Sequence, residues 1–141
     1  MWDDLTPFLV GTGPTATVLD PDGTPNNILD APLGGSVQMD WSFSGASSGI
    51  LPLLTFTVAL FADPVGPGTN VAAGSATVGP GNPGPNYSVN IPLVTNNPAA
   101  PEFLAPGAYR LTTLITTVLG GSSFNIAGFV DGPIIQVRPG P

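Results

Sequence analysis

Apolar and polar residues alternate along most of this chain. In Val37-Gln38-Met39-Asp40-Trp41-Ser42-Phe43-Ser44 every odd-numbered residue is apolar and every even-numbered one polar, which is the period of a half-buried β-strand. Leu54, Phe56, Val58 and Leu60 repeat the pattern until Ala62-Asp63-Pro64, where Pro64 lacks the amide needed to continue a ladder. Tyr87, Val89, Ile91 and Leu93 predict a further strand. Another opens at Gly107, with Tyr109, Leu111, Thr113 and Ile115 facing one way and Arg110, Thr112, Leu114 and Thr116 the other. Six residues between 107 and 118 are β-branched, which favours pleated backbone over helix.

Weaker signals fill the remainder. Residues 15–19 predict a first strand, closed by Asp20-Pro21-Asp22-Gly23, with proline at the second place of the turn and glycine at the fourth. The small residues of 71–78 predict an edge strand. A last pair, residues 124–130 and 134–137, is interrupted at Asp131-Gly132-Pro133 by a bulge or bend. Turns fall at residues 45–49 and 120–123, and loops at 79–85 and 96–101. The total is seven or eight short strands with turn signals roughly every 8–15 residues, the spacing of an all-β sandwich with long Pro/Gly loops rather than of βαβ units. Residues 1–14 read as an N-terminal arm and residues 15–141 as one sandwich domain.

Composition narrows the chemistry. The 19 glycines and 18 prolines among 141 residues leave little room for helix. The chain has no cysteine, histidine or lysine, which removes disulfides, thiolate chemistry, the commonest zinc ligand and Schiff-base chemistry. Nine acids against two arginines give a net charge of −7, and no basic patch exists to hold nucleic acid or an anionic membrane surface. The first ten residues carry two aspartates and no uninterrupted apolar core, so they predict no signal peptide. No apolar run approaches the roughly 20 residues of a spanning helix. Extracellular and cytoplasmic locations are both compatible with this reading.

Pro106-Gly107-Ala108-Tyr109-Arg110-Leu111, followed by Thr-rich alternation, resembles the PG-x-Y-x-L strand near the end of bacterial immunoglobulin-like and fibronectin-like domains. The resemblance implies an immunoglobulin-like β-sandwich in which Tyr109 sits at the corner before the penultimate strand and bonds back to the loop. Trp41 is the matching core tryptophan, although it lies on the second strand counted rather than the third. That fold hosts adhesins, carbohydrate binders, fibre subunits and scaffolds alike.

Motifs for catalysis are weak. Gly11-Thr12-Gly13-Pro14-Thr15-Ala16 matches GxGxxA, but Pro14 and the β-branched residues after it deny the helix that would present amides to a pyrophosphate. Glu102 is the sole glutamate and the aspartates sit mostly in turns, so the two-carboxylate pair of a glycosidase is not apparent. Asp20 with Asp22, or Asp63 with loop carbonyls, has the ligand type calcium takes; the simpler reading is solvated turn aspartates. Asn86-Tyr87-Ser88 matches an N-glycosylation acceptor. The expectation is therefore a non-enzyme with no catalytic residues, no cofactor and no metal.

Assembly is better signalled. Soluble sheets usually guard their edges with lysine or inward charge, and here proline or a neighbouring chain must do so. Phe61, Leu114, Val118 and Ile134 point away from the predicted core and would form an exposed apolar patch. Trp2, Leu5, Phe8, Leu9 and Val10 concentrate apolar residues in the arm, which could add a strand to the next subunit's sheet. These nine residues are the expected contacts of a structural subunit that binds copies of itself and builds a fibre, shell or surface lattice. The alternative is an adhesin-like or carbohydrate-binding module using loops 79–85 and 96–101 for a protein or glycan ligand, with Tyr87 and Phe103 beside them.

Overall fold

The computed structural model describes residues 2–3, 10–45, 48–120 and 122–140. Two sheets pack face to face. The smaller contains β2 (Val10–Leu19), β4 (Gly35–Ser44) and β7 (Asn86–Leu93), with β4 in the centre. The larger runs β1 (Trp2–Asp3), β9 (Ser122–Arg138), β8 (Gly107–Leu119), β5 (Leu54–Pro64), β6 (Val71–Val78), and β3 (Ile28–Asp30) also pairs with β9, in parallel. Immunoglobulin constant domains place strands A, B, E and D in one sheet and C, F and G in the other. With β2, β4 and β7 as A, B and E, and β5, β8 and β9 as C, F and G, six of those seven strands take corresponding places. The strand between C and E, β6, pairs with β5 instead of β7.

Alternation does what the sequence predicts. Val37, Met39, Trp41 and Phe43 of β4 and Leu54, Phe56, Val58 and Leu60 of β5 are all buried. Phe56 is the hub of the aromatic core: its ring centroid lies 5.5 Å from Trp41, 5.8 Å from Phe43 and 4.8 Å from Tyr87. Trp41 in turn stacks on Tyr87. Tyr109 opens β8, and its hydroxyl donates to the Ala105 carbonyl at 2.6 Å, the corner bond the resemblance implies. Burial raises the pKa of both the Tyr87 and Tyr109 hydroxyls, so both stay protonated donors near neutral pH.

Three departures have local causes. The first long strand begins at Val10 rather than residue 15, because the ladder with β4 skips from Thr12 to Thr15 and leaves Gly13 and Pro14 in a bulge. An edge strand tolerates proline there, and Gly13, at φ +86°, takes a conformation that side chains resist. Residues Ser48–Leu53 form a 3₁₀ turn. The last strand is continuous, and the Asp131-Gly132-Pro133 interruption is a bulge: Arg110 pairs Ile134 and Thr112 pairs Asp131.

Among the described residues two buried groups lack a hydrogen-bond partner, the Trp41 indole N–H and the Thr113 hydroxyl. Thr113 is fully buried in β8 and its hydroxyl makes no hydrogen bond. An unsatisfied buried hydroxyl costs roughly 1–3 kcal/mol, so Thr113→Val, which keeps the shape, is expected to stabilise the fold by about 1 kcal/mol. The check is a higher urea midpoint at an unchanged m-value.

Candidate functional site

The residues that the alternation turns away from the core converge on the outer face of the larger sheet. Along β5 these are Thr55, Thr57, Ala59, Phe61 and Asp63; along β8 they are Arg110, Thr112, Leu114, Thr116 and Val118. Register sets them in rows. Ser75, Ala59, Leu114 and Phe129 stand side by side across β6, β5, β8 and β9. Thr77, Thr57, Thr116 and Ala127 form the next row, and Phe61, Thr112 and Asp131 flank the first on its other side. Strands lie about 4.8 Å apart, so Phe61, Leu114 and Phe129 share one surface with Leu114 near its middle.

This face is exposed and nearly uncharged. Phe61 is 37% exposed, Leu114 40%, Phe129 46% and Ile134 51%. Its charges gather at one end, where Asp63, Arg110 and Ile134 are partners in the ladder and Arg110 meets Asp131 at 3.8 Å. That ion pair is more than half exposed on both sides and contributes little. Among the other acids with described side chains, Asp20, Asp22 and Asp30 lie in and beside turns, Asp40 on the other sheet and Glu102 in a loop; Asp3 is placed by its backbone alone, beside Ala127 at the sheet's edge. The opposite outer face, with Gln38, Asp40, Ser42, Ser88 and Asn90, is polar.

Of the nine expected contacts, Phe61, Leu114 and Ile134 are exposed on this one face, and Val118 is half-buried on it. Trp2 and Val10 are placed by their backbones, in β1 and β2, and their side chains lie outside the described residues, as do Leu5, Phe8 and Leu9 altogether. The backbone of Trp2 and Asp3 pairs with Gly128 and Ala127 of the same chain's β9. Sequence reasoning missed Phe129, which extends the patch to a third strand. Its signal was available in the alternation of 127, 129 and 131, but the Gly-Pro bulge that follows obscured which face that alternation occupies.

Clefts offer no second candidate. One of ≈ 390 Å³ lies on the polar face and holds a single carboxyl, Asp40, which accepts from the Gln38 amide at 3.2 Å. Another of ≈ 620 Å³ opens between β6 and β7 with Glu102 alone. Neither brings together the two carboxyls that glycoside hydrolysis uses. A third, of ≈ 280 Å³, is lined by Asp20, Asp22 and Asp30, but Arg138 pairs with Asp30 at 2.9 Å and the Asp20 carboxylate is engaged by turn amides. Among the described residues, no three acids, histidines or cysteines cluster as metal ligands, and no helix is long and apolar enough to cross a membrane. The Asp20 carboxylate instead accepts the Asp22 and Thr24 amides, each at 3.0 Å. Tyr87, beside loop 79–85, is buried with its hydroxyl on the Asn82 carbonyl, so its ring is not open to a loop-bound ligand.

No family model matches the chain, and no curated protein matches it. Among solved structures it is similar to the CooA pilin subunit from enterotoxigenic Escherichia coli, at 12% identity and a TM-score of 0.39, covering 91% of this chain and 100% of that one.

Proposed function

We propose that this protein is a non-enzymatic structural subunit that binds a second copy of itself through the outer face of the larger sheet. The observation that carries the reading is the apolar surface formed by Phe61, Leu114, Phe129 and Ile134, each at least 37% exposed and set on neighbouring strands of one sheet face; the other exposed large hydrophobics, Ile28, Leu33, Leu53 and Val65, lie off that face, in β3, the 3₁₀ turn and loops. Contiguous patches of this kind mark contact surfaces.

Charge selects a second copy as the occupant. Two chains of net charge −7 repel, and this face lets them meet with the acids whose side chains are described at its margin or elsewhere. Four strands at about 4.8 Å and nine residues at about 3.3 Å give a face of roughly 570 Å² in projection, before side-chain relief, the order of a standard interface's roughly 800 Å² per partner. Two copies laid face to face also present one surface to itself, as an isologous contact requires. The N-terminal arm joins this proposal through β1, which lies along β9 beside the patch and could form the same ladder with a neighbour.

The test is mass by light scattering across a concentration series, at low and moderate salt. Mass should rise with concentration, and more readily where salt screens the net charge. A constant 14.2 kDa particle under every condition would contradict the proposal.

A further inference from the structure

The sheet edges are guarded unequally. On the smaller sheet, β2 carries Pro14 and a bulge and β7 carries Pro92. On the larger sheet, the outer side of β9 is met by β1 at Ala127 and Gly128 and by β3 from Gln136 to Arg138, with Pro133 in the stretch between. At the far edge, β6 pairs with β5 alone and contains neither a proline nor a charge. Its ladder with β5 is regular from Gly74 to Val78, beyond the bulge at Ala73. An edge of this kind leaves a row of backbone donors and acceptors ready to pair with another strand.

The geometry points to β6 of a second copy as that strand. Among the described edge strands β6 is the one with neither a proline nor a charge, since β2, β7 and β9 contain Pro14, Pro92 and Pro133 and β1 and β3 contain Asp3 and Asp30, so the like edge a neighbour offers is its own β6. Antiparallel pairing about a two-fold axis at Ala76 sets Thr77 opposite Ser75 of the other copy, a hydroxyl pair that suits cross-strand neighbours, and opposes no charges. Gly74 lets β6 lie close over β7, since a Cβ there would come within 2.6 Å of Ile91 Cγ2. That closeness helps hold the edge in place. This inference rests on the face contact proposed above and adds a second one. A subunit with two self-contacts has two neighbours, so assembly passes beyond the dimer.

Proline substitutions at two successive positions test it. Backbone groups of an antiparallel strand point alternately toward and away from the neighbour, so of Ser75→Pro and Ala76→Pro one breaks the ladder with β5 and the other removes only an outward N–H. The variant that keeps the parental melting temperature is the informative one. It should reduce the wild-type particle from more than two copies to two. Leu114→Asp, which removes the face contact, should also leave two copies, and the two changes together should leave one. The edge pairing is overturned if the well-folded proline variant keeps the wild-type mass, or if Leu114→Asp alone is monomeric while the wild type forms dimers. In the second case the face contact survives and only the edge contact fails. A wild type that stays monomeric removes both.

Discussion

Phe56→Ala is expected to lower the unfolding free energy by about 3–5 kcal/mol, while Phe61→Ala, five positions along the same strand, changes it by no more than about 0.5 kcal/mol. Phe56 is fully buried, and its ring meets Trp41, Phe43 and Tyr87. Truncation removes all three aromatic contacts and leaves a cavity between the sheets, which the packed structure around it relaxes only partly to fill. Phe61 faces outward at 37% exposure, and its ring belongs to the outer face. A loss of this size is a large part of the roughly 5–15 kcal/mol that holds a domain folded. Chemical denaturation should be followed in the background that combines Leu114→Asp with the well-folded β6 proline variant, because self-association adds apparent stability that depends on concentration.

Leu114→Asp should weaken association by on the order of a thousand-fold, about 4 kcal/mol. Leu114 lies in the row that joins Ala59 to Phe129, near the middle of the patch. In a two-fold contact centred there, a substituted carboxylate is desolvated and brought close to its own copy, and each buried, unpaired charge costs several kcal/mol. Ser88→Asp on the opposite sheet is the control: it adds the same charge at an exposed position on the polar face. Both variants carry one more negative charge than the parent, so general repulsion acts on them equally. Light scattering should show Leu114→Asp at two copies or fewer and Ser88→Asp at the parental mass. Equal masses would place the contact elsewhere.

Much of this was legible because the protein is built almost wholly from period-two strands. The inward sets of β4, β5 and β8 follow from alternation, and a side chain that breaks the apolar count on such a strand must point outward; Phe61, Leu114 and Ile134 were readable in that way. The Asp20-Pro21-Asp22-Gly23 turn was readable from its residues, and Gly23 donates to the Asp20 carbonyl at 2.9 Å as a turn of that kind requires. Less was legible where period two fails. At three residues β3 is too short to show any period, and its parallel pairing with β9 depends on tertiary placement. Pro14 looked like a boundary because its missing amide is costly inside a ladder, yet the bulge in β2 absorbs it. The tally of guarded and unguarded edges needs strand order, which alternation does not contain.

The most direct test uses the absence of cysteine. Leu114→Cys and Ser88→Cys each create a unique thiol, and packed sheet faces lie about 10 Å apart, within reach of a short bis-maleimide. Cross-linking the assembled protein should trap covalent dimers in high yield from Leu114→Cys and almost none from Ser88→Cys. Equal yields from the two positions, or no dimer from Leu114→Cys, would contradict the claim that copies meet through the outer face of the larger sheet.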